Sequence, residues 1–213
     1  MDNRQLLSAL ADALDETGVE CHWNRRVDDA EQLDAWIVID CCGNGAKSRW
    51  KELRGVRGEI VRLHALGVDL RHMIRLLHPR SSVYLISRPG GNLVVGATAI
   101  ESDDASPVSV HGALELLSVA YSVLPELGEA RIVELNTGCR PALPDNRPAI
   151  RYSRAARRVE VNGLYRHGFL LSPAVVEEVL AVLPQLLKSP HSELGTSPRW
   201  PSLGTREEVL VCS

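Results

Sequence analysis

No basic stripe runs along the chain, no apolar run approaches the roughly 20 residues that a bilayer-spanning helix needs, and no cysteine pair shows C-x-x-C spacing. Each absence removes a class of function. Lys and Arg are spread along a chain of formal net charge −3, so there is no basic stripe to meet a polyanion, and nucleic acid is not an expected partner. The run that opens at Phe169 is broken by Ser172 and Pro173 and followed by two glutamates, so no membrane segment is expected. Met1 leads straight into an amphipathic pattern rather than a secretory signal. The cysteines (Cys21, Cys41, Cys42, Cys139 and Cys212) are odd in number and unsuited to a disulfide framework or a zinc knuckle, which points to reduced thiols and a cytoplasmic setting. The pair Cys41-Cys42 is read as packing at the end of an apolar strand. His64, His72, His78 and His111 fit no metal-site spacing.

What remains is an ordinary globular composition. With 213 residues, 45% apolar and 24% charged, the chain can bury a core and disorder is not the default.

Leu6, Leu7, Leu10 and Leu14 share one helical face over residues 3–17, with Asp2 or Asn3 as N-cap and Gly18 past the end. A short strand is expected at Val19–Trp23. The run Ala35–Cys41 reads as a strand buried on both faces, followed at once by Gly43-Asn44-Gly45-Ala46. From Val56 the texture changes to short strands at 59–64, 73–77, 83–87 and 93–98, the last two joined by a glycine-bearing hairpin connection. Ser106-Pro107 fits a helix start, and Val110, Ala113, Leu114, Leu117, Tyr121 and Leu124 recur at helical spacing. A strand over 130–135 leads into the proline-rich segment 137–150, expected to be a long ordered loop with a turn at Asp145-Asn146. A short strand at 159–161 and a last helix ending near Pro184 complete the pattern, and residues 189–213 read as a poorly ordered tail.

These elements predict an α+β fold: an antiparallel substrate-binding sheet with covering helices, plus remnants of an α/β domain. The expected divisions are 1–55, 56–135, 136–188 and the tail 189–213.

Four places could carry chemistry. Gly43-x-Gly45-Ala46 after a strand is either a nucleotide-contacting turn or a tight turn after a core strand; Ser48 stands where G-x-G-x-x-G needs its third glycine. Arg140, between Cys139 and Pro141, is either a carboxylate-capturing guanidinium on a stiffened scaffold or a surface arginine beside Asp145 or Glu134. Tyr84 on its strand is a packed aromatic or a hydroxyl at the rim. Arg166, His167 and Gly168 precede a helix start, whose partial positive charge favours an anion.

Taken together, WIVIDCCGNGAKS, LRGVRGEIVRLHA, RLLHPRSSVYLISRPGGNLVVGATAIESDD, ARIVELNTGCRPALPDNRPAI and VNGLYRHGFLLSP run in one order over about residues 3–187. This set resembles the D-amino acid oxidase superfamily of FAD-dependent oxidoreductases, and within it the glycine oxidases of thiamine biosynthesis. The resemblance implies FAD as cofactor, with Gly43, Gly45 and Ala46 at one flavin-contacting turn and His167, Gly168, Phe169 and Leu170 at the helix start under the ring. It implies that Arg140 binds the carboxylate of a small amino acid substrate, that Tyr84 lends a hydroxyl to it, and that Arg166 lines the pocket. The implied reaction is oxidative deamination to an imino acid with release of hydrogen peroxide.

The chain departs from the family in beginning after the G-x-G-x-x-G segment that grips the pyrophosphate, and Ala99 replaces a pocket methionine found in some members. Two readings follow. One is an FAD-dependent oxidase completed by a further segment, and the other is an inactive substrate-domain remnant that binds a small carboxylate or a partner subunit. The exposed edge of the 35–41 strand favours oligomerisation or a complementing chain.

Overall fold

The computed structural model describes residues 2–29, 33–77, 82–153, 155–187 and 208–211. The chain divides into two compact units, residues 44–144 and residues 1–43 with 145–213. The units meet along the chain at 43/44 and 144/145. Trp50 and Leu53 are buried before the sheet of the first unit begins, and the strand expected to end at 135 runs on to Ala142.

The unit 44–144 is an antiparallel sheet with one helix across it. Its strands are β2 (Arg54–His64), β3 (Ile74–Leu77), β4 (Ser82–Arg88), β5 (Asn92–Gly96), the short β6 (Ile100–Glu101) and β7 (Arg131–Ala142), and the helix is α2 (Val110–Val123). The spatial order is β3-β4-β5-β2-β6, with β7 pairing β2. Alternation along β2 sorts its residues between two faces. Arg57, Glu59, Val61 and Leu63 face one side, where Val61 and Leu63 join Val83, Leu85, Leu93, Val95, Leu116 and Ala120 in a core covered by α2. Val56, Gly58 and Ile60 face the other side. The β4–β5 connection needs left-handed backbone at Gly90 and Gly91 (φ 73° at each), which explains the glycine pair between two β-prone runs.

Several local expectations change. The N-cap of α2 is Ser109, whose hydroxyl accepts from the Gly112 N–H at 2.9 Å, rather than Ser106. The expected loop 137–150 is strand as far as Ala142, because β7 continues its ladder with β2 through Arg140↔Val56 and Pro141↔Gly55. Proline, which cannot donate to a ladder, fits there on an edge strand. The turn at Asp145-Asn146 does form, with Asn146 at φ 60° and the Arg147 N–H donating to Asp145 at 3.0 Å.

The other unit contains α1 (Asn3–Glu16), β1 (Val38–Asp40), β8 (Ala149–Ser153), β9 (Arg158–Asn162), α3 (Gly168–Leu187) and β10 (Glu208–Val211). Asp2 caps α1 by accepting from the Arg4 and Gln5 amides at 2.9 and 3.3 Å, yet α1 buries none of its residues. No strand forms at Val19–Trp23. The strand expected over 35–41 shrinks to three residues and is not buried on both faces: β1 pairs with β9 alone among the described residues, and Ile39 is 47% exposed. Cys41 and Cys42 are exposed just after it, against the packing expected. Partial burial, and then Asp40, push the Cys41 thiol up, which disfavours a thiolate.

The sheet order is β1-β9-β8-β10, with β1 and β9 parallel. The tail expected to lack order supplies β10, which pairs antiparallel with β8 from Glu208↔Tyr152 to Val211↔Ala149; the rest of 189–213 lies outside the described residues. α3 is 20 residues long, and an 18-residue window of it has mean hydropathy 1.6, a length and composition that membrane spans share with the core helices of globular proteins. Within the unit, its Val175 and Val179 pack on Ile150, Val159 and Val161, and the helix contains Glu177 and Glu178.

Candidate functional site

The face of the 44–144 sheet that α2 leaves uncovered brings Arg140 and Tyr84 together on one surface. Register places Asn136, Ile60, Gly96 and Tyr84 in one row across β7, β2, β5 and β4. Directly opposed residues of antiparallel strands share a face, so Arg140, opposite Val56, stands on the same side four residue pairs along β2. Neither long side chain could lie over the sheet without two missing Cβ atoms. A Cβ on Gly58 would overlap the terminal atoms of the Arg140 guanidinium, and a Cβ on Gly96 would sit 2.6 Å from the Tyr84 hydroxyl oxygen. The two glycines are therefore the floor on which both side chains rest.

Arg140 is held by its surroundings, with Nη1 donating to the Thr98 carbonyl at 3.3 Å. The surface-arginine alternative is not what forms at Glu134, which lies 3.2 Å from Arg62. A half-buried guanidinium on a strand, with a phenol on the same face, is suited to a planar carboxylate: the guanidinium offers parallel N–H donors and the phenol one more.

On the helix side of the same strands lies a buried ion pair. The Arg57 Nη2 and the Glu59 Oε1 are 2.8 Å apart, and the two side chains are 5% and 0% exposed. Arg57 also donates to the carbonyls of Asp104, Ser106 and Pro107 at 2.8, 3.0 and 2.7 Å. Burial pushes the Glu59 carboxyl up, but the Ser109 amide and Arg57 outweigh it and hold the group below the ordinary glutamate value. Sequence reading passed over Gly58, Gly96, Glu59 and Thr98. A glycine inside a strand pattern signals close approach by another group and was the available clue to the first two.

In the other unit, parallel β1 and β9 deliver their carboxyl ends to the same side of the sheet, where open α/β folds receive ligands. The chain after β1 turns at Gly43 (φ 54°) into a single 3-10 turn, Gly43–Ala46, that includes Gly45. At the end of β9, Asn162 is 2% exposed and its Nδ2 donates to the Gly43 carbonyl at 2.9 Å, tying the two turns together. The chain then passes Gly163 and Tyr165, both left-handed, before α3 starts at Gly168. The His167 carbonyl accepts from the Leu170 and Leu171 amides at 3.0 and 2.8 Å, so His167 caps α3 with its backbone. The amides of Gly168 and Phe169 belong to the first turn, where a helix leaves donors without intrahelical partners. The Arg166 guanidinium lies 5.5 Å from the Tyr165 ring centroid. Among the described residues, no cluster of His, Cys, Asp and Glu could hold a metal ion.

Comparison with known proteins decides the family. Residues 1–181 match the profile of the FAD dependent oxidoreductase (DAO) family. The chain belongs to this family of FAD-dependent oxidoreductases. A Rhizobium etli protein carrying the provisional name thiamine biosynthesis oxidoreductase ThiO is 44% identical over 179 residues, which cover 84% of this chain and 54% of that protein. Among solved structures, iminodiacetate oxidase from Chelativorans sp. BNC1 superposes with TM-score 0.61 at 27% identity, over 74% of this chain and 44% of its own. Glycine oxidase from Geobacillus kaustophilus gives 0.60 at 25% identity, over 72% and 42%. The chain thus spans about half the length of the FAD-dependent oxidoreductases it matches. The α+β architecture with an antiparallel sheet is that of these oxidases.

Proposed function

We propose that the chain forms the substrate-binding side of an FAD-dependent oxidase that deaminates a small amino acid. The observation that carries this reading is the pairing of Arg140 and Tyr84 on one open sheet face floored by Gly58 and Gly96. Arg140 would take the substrate carboxylate through parallel N–H donors, and the Tyr84 hydroxyl would add a third bond and fix the rotation of the bound group.

When bound, FAD supplies the two-electron acceptor for the substrate α-hydrogen, the net reaction with oxygen giving an imino acid and hydrogen peroxide. The residues present fit the ring end of such a group. Gly43, Gly45 and Ala46 offer a small-residue turn at the carboxyl end of β1, and Asn162 braces it. His167, Gly168, Phe169 and Leu170 form a helix start whose amides and dipole favour the electron-rich edge of the ring. The sequence contains no G-x-G-x-x-G turn to take the pyrophosphate.

Three further readings belong with this one. The R. etli relative's name places that protein in thiamine biosynthesis, and we assign the imine product of this chain to the same use. A complementing segment or second copy would cover α1, whose Leu7, Leu10 and Leu14 are 57%, 52% and 43% exposed. Free cysteines at 21, 41, 42 and 139 support a cytoplasmic setting.

The test is a titration with glycine, acetate and methylamine, followed by amide chemical shifts of β5 and β7. Glycine and acetate shift Arg140 and its neighbours in the wild type and not in Arg140→Ala, while methylamine shifts neither. Equal responses in both proteins would overturn the assignment.

A further inference from the structure

Thr98 is bonded to Glu59 three times. The Thr98 N–H donates to the Glu59 carbonyl at 3.2 Å, the Glu59 N–H donates to Thr98 Oγ1 at 2.8 Å, and Thr98 Oγ1 donates to Glu59 Oε2 at 3.4 Å. Glu59 is itself fixed, because Oε1 accepts from Arg57 Nη2 at 2.8 Å and from the Ser109 N–H at 2.9 Å at the start of α2. All of these groups lie on the helix side of the sheet. Thr98 is 8% exposed, and its carbonyl leaves the network to accept from Arg140 Nη1 at 3.3 Å.

We propose that Thr98 is a positioning residue for Arg140: its hydroxyl, anchored by buried Glu59, aims the Thr98 carbonyl at the guanidinium and thereby orients the donors that meet a substrate carboxylate. This rests on the reading of Arg140 as the carboxylate anchor. The chemistry favours a backbone carbonyl for the task. A carbonyl takes up an N–H donor of the guanidinium without neutralising its charge, which a carboxylate in the same place would do. Residue 98 lies two positions beyond the end of β5, so its carbonyl direction is not set by the ladder of that strand. The three bonds to Glu59 set it instead. Gly58 completes the arrangement by leaving room for the guanidinium beside that carbonyl.

The experiment is arginine-labelled NMR on the chain, with the Arg140 Nε–H signal assigned by its loss in Arg140→Lys. In the wild type the guanidinium is expected to be ordered. Thr98→Val, which keeps the shape and removes the hydroxyl, is expected to free its rotation and to weaken acetate binding about fivefold, the equivalent of one net hydrogen bond. Thr98→Ser is expected to restore both, a rescue that a purely packing role would not give. An Arg140 signal equally ordered in the wild type and Thr98→Val overturns the proposal. A freely rotating Arg140 in the wild type overturns it with no variant needed, so a Thr98→Val protein that fails to fold does not protect the idea. If acetate leaves Arg140 unmoved in the wild type, the carboxylate reading fails, while the order measurement still judges the role of Thr98.

Discussion

Gly58→Ala separates the floor of the site from the stability of the sheet. An added Cβ would overlap the three terminal atoms of the Arg140 guanidinium, and ordinary contact begins near 3.4 Å, so the guanidinium must retreat by more than about 1 Å. The bond to the Thr98 carbonyl, already 3.3 Å long, does not survive that movement. The only atoms displaced are the far end of a flexible side chain, and alanine is about 0.5–1 kcal/mol better than glycine inside a strand. The melting temperature should therefore hold or rise slightly. Carboxylate binding should weaken roughly 10- to 100-fold, the range set by losing a charged hydrogen bond worth about 1.5–3 kcal/mol. Acetate titration with thermal melting on the same samples measures both. A variant that binds acetate like the wild type would refute the claim that Arg140 works from its place over Gly58, and a large fall in melting temperature would refute the claim that the space serves the side chain alone.

Other outcomes follow from the same geometry. Tyr84→Phe should leave the melting temperature within a degree or two and weaken acetate binding about fivefold, the worth of one hydrogen bond; unchanged binding would remove Tyr84 from the site. Glu59→Ala removes the fully buried carboxylate beside Arg57 and leaves it only the more exposed Asp104 at 3.1 Å, which should cost about 3 kcal/mol in denaturant unfolding, the low end for breaking a buried pair. Because the folded-state Glu59 carboxyl lies below its ordinary value of about 4.5, its contribution is fully present above that pH and is lost as pH falls through the depressed value. Wild-type stability should thus fall more steeply than that of Glu59→Gln on acidification below about 4.5, and parallel curves would contradict the assignment. Asn162→Ala removes the tie to the Gly43 carbonyl, so amide exchange at residues 43–46 should accelerate while that of β4 and β5 stays unchanged.

The sequence showed the elements better than their edges. The short-strand texture of β2 and the helical spacing in α2 are local signals, and both elements formed, although β2 begins five residues before the expected 59 and α2 starts at Val110 rather than at Ser106-Pro107. The run 35–41 misled because continuous apolar character implies two covered faces, while β1 has one neighbour in the described residues. Prolines 141, 144 and 148 suggested a loop, but an edge strand tolerates a residue that cannot donate, and β7 ran through Pro141. At the site, Arg140 and Tyr84 were legible as residue types in a familiar pattern. Their meeting on one face depends on register across four strands, which no local window contains. Glu59 and Thr98 were hidden for the same reason, since their bonds join positions 39 residues apart.

The most direct measurement is peroxide release with glycine or another small amino acid from the purified chain supplied with FAD and, in trans, the pyrophosphate-gripping segment of a relative. Release that disappears in Arg140→Ala while the flavin spectrum remains is the expected result. A flavin-loaded assembly that releases no peroxide with any small amino acid, or one in which Arg140→Ala is as active as the wild type, would contradict the assignment of Arg140 as the carboxylate anchor.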